Sequence, residues 1–206
     1  IVDTKIRVSN YIDRMFARYA PAPFLSVVIE DCISKGRDYY NAGPRYNTNY
    51  IQCTGLGTTT DSLSVLKKHV FEEQNFSMDR ILEAVTKNFE GEEFLRQTVL
   101  NRTPFFGNDD NYADDIARRI YADLFDAIDG KPNTRGECFH QNMLLTTCHI
   151  YFGKVMGATP NGRFAVKSIS DGTSPSHGAD THGPSAVIHS LTKLDHTLSG
   201  GTLLNQ

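Results

Sequence analysis

No apolar run in the 206 residues approaches the ~20 needed to cross a bilayer as a helix, so a helical membrane protein is not expected. No basic stripe interrupts a formal net charge of −3, and nothing marks the chain as a binder of nucleic acid. The four cysteines, Cys32, Cys53, Cys138 and Cys148, stand far apart and form no CxxC. That pattern fits reduced thiols in a cytoplasmic protein rather than a disulfide framework or a zinc ribbon. Ile1 opens directly into IVDTKIRVSNYIDRMF, a charged amphipathic pattern with no secretory leader. The glycosylation sequons at Asn75 and Asn101 therefore read as chance matches. Internal repeats and low-complexity tracts are also missing.

What remains is a globular composition, 39% hydrophobic and 22% charged, in which helical and strand patterns alternate. Ile6, Tyr11, Ile12, Met15, Phe16 and Tyr19 suit one face of a first helix that must stop before Pro21. A second helix is expected over residues 24–34, closed by Gly36. RYNTNYIQCTGLG, residues 45–57, reads as a strand ending in a Gly-rich turn, with Thr60 or Asp61 capping the next helix. Further helices are expected from Ser77 to Asn88, in GEEFLRQTVLN, and after GNDDNYADD, where Ala113, Ile116, Ala117, Ile120, Leu124 and Ile128 share a side. Residues 137–152, ECFHQNMLLTTCHIYF, read as a buried strand, and Pro184 opens a last helix. The chain opens inside a helical pattern and stops at GTLLNQ, a strand just beginning, as an internal piece of a longer polypeptide would.

Chemistry is not legible from these residues alone. CTGLGTTTD has the outline of a phosphate cradle, but Thr60 stands where a third glycine belongs and no GK[ST] follows. The simpler reading is a turn that lets a helix pack closely on its strand. His177, Asp180, His182, His189, Asp195 and His196 are metal-ligating types without paired short spacing. Cys53 or Cys148 is a conceivable nucleophile with His149. On a strand, however, Cys148 and His149 face opposite ways, and a buried inert thiol is the plainer assignment. Asp109, Asp110, Asp114 and Asp115 read as a solvated helix start favoured by the macrodipole. The run from Gly157 to Pro184, GATPNGRFAVKSISDGTSPSHGADTHGP, is different in kind. Its turn signals are distinct rather than repeated, which indicates a shaped surface packed on something.

That loop resembles the ATPDGR…SDG-SP…GAD…GP-AV signature of the glycyl radical enzymes, the pyruvate formate-lyase family. The segment CISKGRDYYNAGPRYNTNYIQCTGLGTTTDSLSVLKKHVF and the closing GGTLLNQ resemble the same family in the same order, so the likeness covers nearly the whole chain. Asn161 replaces the usual Asp, and Lys167-Ser168-Ile169 replaces a Pro-Leu pair. Residues 45–57, 106–115 and 146–153 are most similar to the branch that dehydrates hydroxyproline. Choline trimethylamine-lyases, glycerol and propanediol dehydratases and formate acetyltransferases share the scaffold.

The resemblance implies an α/β fold, with residues 1–206 an internal, helix-rich segment of one ten-stranded barrel. A glycyl radical there generates a thiyl radical that takes hydrogen from a small-molecule substrate. It also implies no bound cofactor, a homodimer, anaerobic metabolism, and an activating enzyme that uses S-adenosylmethionine and an iron–sulfur cluster. Neither the GCVE-type cysteine motif nor the RVxGY-type glycine motif occurs here, so these residues alone are expected to be inactive. By resemblance Thr146 and Thr147 are the substrate-binding candidates, only one of which can point inward from a strand. A non-catalytic binding module of the same fold is the alternative. Against it, residues 45–54 and 144–152 would present open apolar strand edges, and the isolated chain is expected to aggregate or to behave as a molten globule.

Overall fold

The structure is a computed structural model and describes residues 1–144 and 147–205. It is helix-rich α/β. The chain divides into two compact units, Ile1–Ile51 with Leu124–Asn142, and Gln52–Asp123 with Met143–Gln206. No helix among the described residues is long and apolar enough to cross a membrane.

In the first unit, α1 (Val2–Tyr19) ends where Pro21 requires. Of its expected apolar face only Ile6 is buried; Tyr11, Ile12, Met15, Phe16 and Tyr19 are exposed. The single helix expected over residues 24–34 is two, α2 (Pro23–Ser26) and α3 (Glu30–Lys35). The β-branched run Val27-Val28-Ile29 separates them, where crowding at χ1 disfavours helix. Gly36 closes α3 in the left-handed conformation at φ +59°, as its position predicted.

The strand expected over residues 45–57 contracts to β1 (Asn49–Gln52), which pairs with β2 (Phe139–Asn142) in a two-stranded sheet. The long strand expected over residues 137–152 is overturned. Among the described residues of that stretch only 139–142 form a strand, and Cys148–Val155 forms a helix, here α8. Aromatic and β-branched content pointed to a strand. Tertiary packing selected the helical period: α8 buries His149 and Gly153, one turn apart, and Gly153 lies so close to the 167–168 backbone that a Cβ would meet Ser168 Cα at 2.6 Å. Among the described residues of the closing GTLLNQ, Thr202 forms an isolated parallel bridge with Met143.

The second unit builds its core from α4 (Leu56–Val65), α5 (Met78–Thr86) and α6 (Glu93–Arg102), with a π-helical turn, Leu66–Glu72, continuing α4. Ser77 caps α5 by accepting the Arg80 N–H at 3.2 Å. Val65, Ile81, Leu95 and Val99 are buried together with Phe76, Phe89 and Phe105. Each large apolar side chain so enclosed contributes about 1.5–3 kcal/mol. The long α7 (Asn111–Ile128) begins in this unit and ends in the first; α9 (Pro184–Thr192) opens with its proline as expected.

Two sequence expectations fail at helix starts. The helix α4 begins at Leu56 behind a left-handed Gly55, φ +83°, so Thr60 and Asp61 are not caps but buried interior residues. The acidic run before α7 is not simply solvated. Asp114 is fully buried against Lys193 Nζ at 2.7 Å and Ser190 Oγ at 3.0 Å, while Asp109 holds Lys193 at 2.7 Å and His189 at 3.2 Å. Burial pushes the Asp114 carboxyl up from its ordinary value; the Lys193 hydrogen bond pulls that of Asp109 down.

Candidate functional site

The Gly157–Pro184 loop closes over the start of α4. Thr58 and Ser170 exchange hydrogen bonds, Thr58 N–H to Ser170 Oγ at 3.0 Å and Ser170 N–H to Thr58 Oγ1 at 2.9 Å. The Gly55 N–H reaches Ser170 O at 3.0 Å. Gly57 brings the helix so close to the loop that a Cβ would meet Ser174 O at 2.7 Å and Ser176 N at 2.8 Å. The helix N-terminus that outlined a phosphate cradle is thus filled by the chain's own backbone. Its glycine serves close packing, though against the loop rather than a strand.

Further along, Thr173 N–H donates to Leu203 O at 2.9 Å and Asn205 N–H to Ser174 Oγ at 2.9 Å; the Asn205 amide also bonds Asp171. At Gly172, φ +40°, a Cβ would strike Leu203 O at 2.5 Å and Met143 O at 2.8 Å. The SDG triplet therefore exists to let residues 201–205 lie against the loop.

Beneath the loop, Asp61 joins three segments. Its Oδ1 accepts the Phe106 N–H at 2.8 Å, and the Ser176 hydroxyl bonds the same carboxyl. Complete burial raises this carboxyl to about 7 against those two hydrogen bonds. A cavity of about 740 Å³ opens between the loop and the α6–α7 connection. Its arginines are committed to the loop itself. Arg163 donates to the carbonyls of Gly157, Phe164 and Lys167, and Arg96 donates to Gly162 O at 2.9 Å while stacking 4.0 Å over Phe164. A smaller cavity of about 250 Å³ lies where Phe152, Val155 and Met156 meet Thr54, Thr58 and Ile169.

The other candidates separate. Thr146 lies outside the described residues. Thr147 is exposed as the residue capping α8, not on a strand. Cys148 is exposed on α8, which corrects its assignment as a buried thiol; Cys53 is half-buried, and burial pushes its thiol up to about 11. Four of the six metal-ligating types have other engagements. The His182 ring bonds Asn108 O at 3.1 Å, the His196 ring bonds Leu191 O at 2.9 Å, His189 meets Asp109, and Asp195 accepts the Thr197 N–H at 3.0 Å. Among the described residues no three His, Cys, Asp or Glu side chains converge as metal ligands. His69, which the sequence did not single out, is fully buried. It donates from Nε2 to Thr103 Oγ1 at 3.0 Å, because that hydroxyl is already donated to Val99 O, and so accepts from Asn75 at Nδ1. Burial lowers its basicity and keeps it neutral.

Both the sequence and the fold match a known family. The pyruvate formate lyase-like family model matches residues 1–153, and the chain belongs to this family, which places it among the glycyl radical enzymes. It is 48% identical over all 206 residues to the trans-4-hydroxy-L-proline dehydratase of Clostridioides difficile, covering 26% of that enzyme. It is 35% identical over 202 residues to the (2S)-3-sulfopropanediol dehydratase of Klebsiella oxytoca, 95% of this chain and 24% of that one. Among solved structures, hydroxyproline dehydratase from Clostridioides difficile with trans-4-hydroxy-L-proline bound superposes over the whole chain and 26% of that enzyme, with TM-score 0.94 at 49% identity. The B12-independent glycerol dehydratase from Clostridium butyricum does so over the same shares, with TM-score 0.92 at 35% identity. The chain spans about a quarter of the length of the curated relatives it matches.

Proposed function

We propose that this chain is an internal segment of a glycyl radical carbon–oxygen lyase that dehydrates trans-4-hydroxy-L-proline to a pyrroline-5-carboxylate. The observation that carries the reading is the 48% identity over all 206 residues to a dehydratase of that substrate, against 35% over 202 residues to the sulfopropanediol enzyme and 45% over only 144 residues to an isethionate sulfite-lyase. The substrate's ring C–H is too weakly acidic for any side-chain base near neutral pH, and homolytic abstraction by a thiyl radical avoids the carbanion. Loss of hydrogen next to the ring nitrogen lets the neighbouring hydroxyl leave as water. The reacting cysteine and glycine belong to motifs absent from these 206 residues, so the segment supplies wall rather than radical.

In this reading the segment contributes to a ten-stranded barrel that keeps water from the radical. Asp61, Ser170 and the glycines at 57 and 172 hold the wall's loop in shape. Thr146 and Thr147 are the side chains assigned to the substrate. The assembled enzyme is a cytoplasmic, anaerobic homodimer activated by a radical S-adenosylmethionine enzyme with an iron–sulfur cluster. The test is to activate the complete polypeptide carrying this chain anaerobically and offer hydroxyproline, glycerol, propanediol, sulfopropanediol and choline separately. Formation of pyrroline-5-carboxylate, trapped with an aromatic aminoaldehyde, is expected. Turnover of one of the other compounds with hydroxyproline left intact would overturn the assignment.

A further inference from the structure

Asp129, Cys138 and His140 of the first unit form a contiguous relay that the radical chemistry does not use. Cys138 Sγ lies 3.4 Å from His140 Nε2, and His140 Nδ1 lies 2.6 Å from Asp129 Oδ1. An ionised carboxylate only accepts hydrogen bonds, so Nδ1 carries the ring proton and Nε2 turns its lone pair to the thiol. The backbone fixes this alignment. Cys138 bridges Pro132 antiparallel, its carbonyl accepts the Asn49 N–H at 3.1 Å, and Phe139 N–H donates to Lys131 O at 2.8 Å. Asp129 follows α7 directly, its N–H bonded to Phe125 O at 2.8 Å. The Asp129 and His140 side chains are each about one-third exposed, and Cys138 is half-buried, so a small solute reaches the group.

A thiol, a base within reach, and a third group orienting the base are the parts of an activated nucleophile. The spacing supplies them economically: Cys138 and His140 are two residues apart at the start of a strand and so share a face. Cys148 offers an internal contrast, since it is exposed but has no such partner among the described residues.

We propose that Cys138 is a site of reversible S-thiolation, its proton taken by His140 as Asp129 orients the ring, with low-molecular-weight disulfides as co-reactants. The thiol proton passes to His140 Nε2 and the sulfur attacks one sulfur of the disulfide. A Cys138–sulfur bond forms as the original S–S bond breaks, and the departing thiolate collects the proton from His140. Attack by a second small thiol reverses the exchange.

The experiment treats the intact protein with a limiting amount of an aromatic disulfide, without oxygen, at neutral pH, and locates the adduct by peptide mass mapping. Cys138 is expected to react about tenfold or more faster than Cys148. His140→Gln should remove that lead without changing Cys148, and Asp129→Asn should reduce it in part. Equal or faster reaction of Cys148 in the wild-type protein would overturn the proposal, as would an undiminished Cys138 rate in folded His140→Gln. Should that variant misfold, the wild-type pH profile decides. A lead that widens on acidification from pH 8 to 6.5 supports the relay, because an isolated thiol loses about tenfold of its thiolate per unit; a constant or shrinking lead refutes it. The outcome is independent of substrate assignment, since neither result bears on the radical reaction.

Discussion

Leu95, Val65 and Val99 of the second unit have no exposed surface, whereas five of the six apolar residues expected to line α1 of the first unit lie open to solvent. The amphipathic helices differ in the same way: α5 of the second unit buries Ile81 and Ala84, while α1, also amphipathic in sequence, buries only Ile6. In the second unit, α4, α5 and α6 cover one another, and the Gly157–Pro184 loop caps them through Phe164, whose ring meets Phe89 edge-on at 6.2 Å. In the first unit, the residues of α1 and of α2–α3 that would form a core have few described neighbours: Phe24 is 87% exposed and Val28 70%. Amphipathicity specifies which face wants to be buried; only a neighbouring surface makes the burial happen.

That contrast can be broken most directly by truncating one residue on each side. Leu95→Ala should cost about 2–5 kcal/mol, read by chemical denaturation, because it leaves a cavity in a closed core. The triple change Phe24→Ser, Val28→Ser, Ile33→Ser should alter stability by less than about 0.5 kcal/mol per site while lowering light scattering by the isolated chain, since these side chains bury little. A large loss from the triple change would mean that the first unit has a core of its own.

Asp61 sharpens the comparison through pH. Its folded carboxyl sits near 7 and its unfolded one near the ordinary aspartate value, so the folded state binds the extra proton between them. The stabilisation is therefore complete below about pH 4 and is lost as pH rises toward 7, an amplitude of up to a few kcal/mol. Asp61→Asn should flatten that part of the stability profile. A profile of unchanged slope would show that the carboxyl is not held protonated.

Smaller effects come from glycines. Gly57→Ala should cost about 1–3 kcal/mol through collision with the Ser174–Ser176 backbone, while Gly157→Ala, with open space around it, should be near neutral in a thermal melt. In the first unit Gly36→Ala meets no atoms but must hold φ +59°, and about 1 kcal/mol is expected. If Gly36 proved costlier than Gly57, backbone strain rather than close packing would be the stricter constraint.

Several elements were legible because their determinants are local. Pro21 stops α1, Gly36 closes α3, Ser77 caps α5, Pro184 opens α9, and the period of Ala113, Ala117 and Ile128 marks α7. The distinct turns of the long loop likewise announced a fixed shape. Residues 148–155 were misread because Ile150, Tyr151 and Phe152 suit a strand as well as a helix, and Gly153, which decides, does so by meeting a backbone fourteen residues away. Asp61 read as a cap because Asp before an apolar run usually is one; that it lies inside a helix under a loop depends on Phe106 and Ser176. The relay of Asp129, Cys138 and His140 is not legible in the sequence, since its carboxylate comes from the far side of a turn.

The sequence by itself carried the family, through motifs whose likeness extends over nearly the whole chain, and most helix boundaries, because caps and proline act on their immediate neighbours. Only the tertiary structure decided which apolar faces are covered, which carboxyls are dry and which thiol meets a base. Those depend on groups distant along the chain arriving within a few ångströms of one another, and no local preference encodes that.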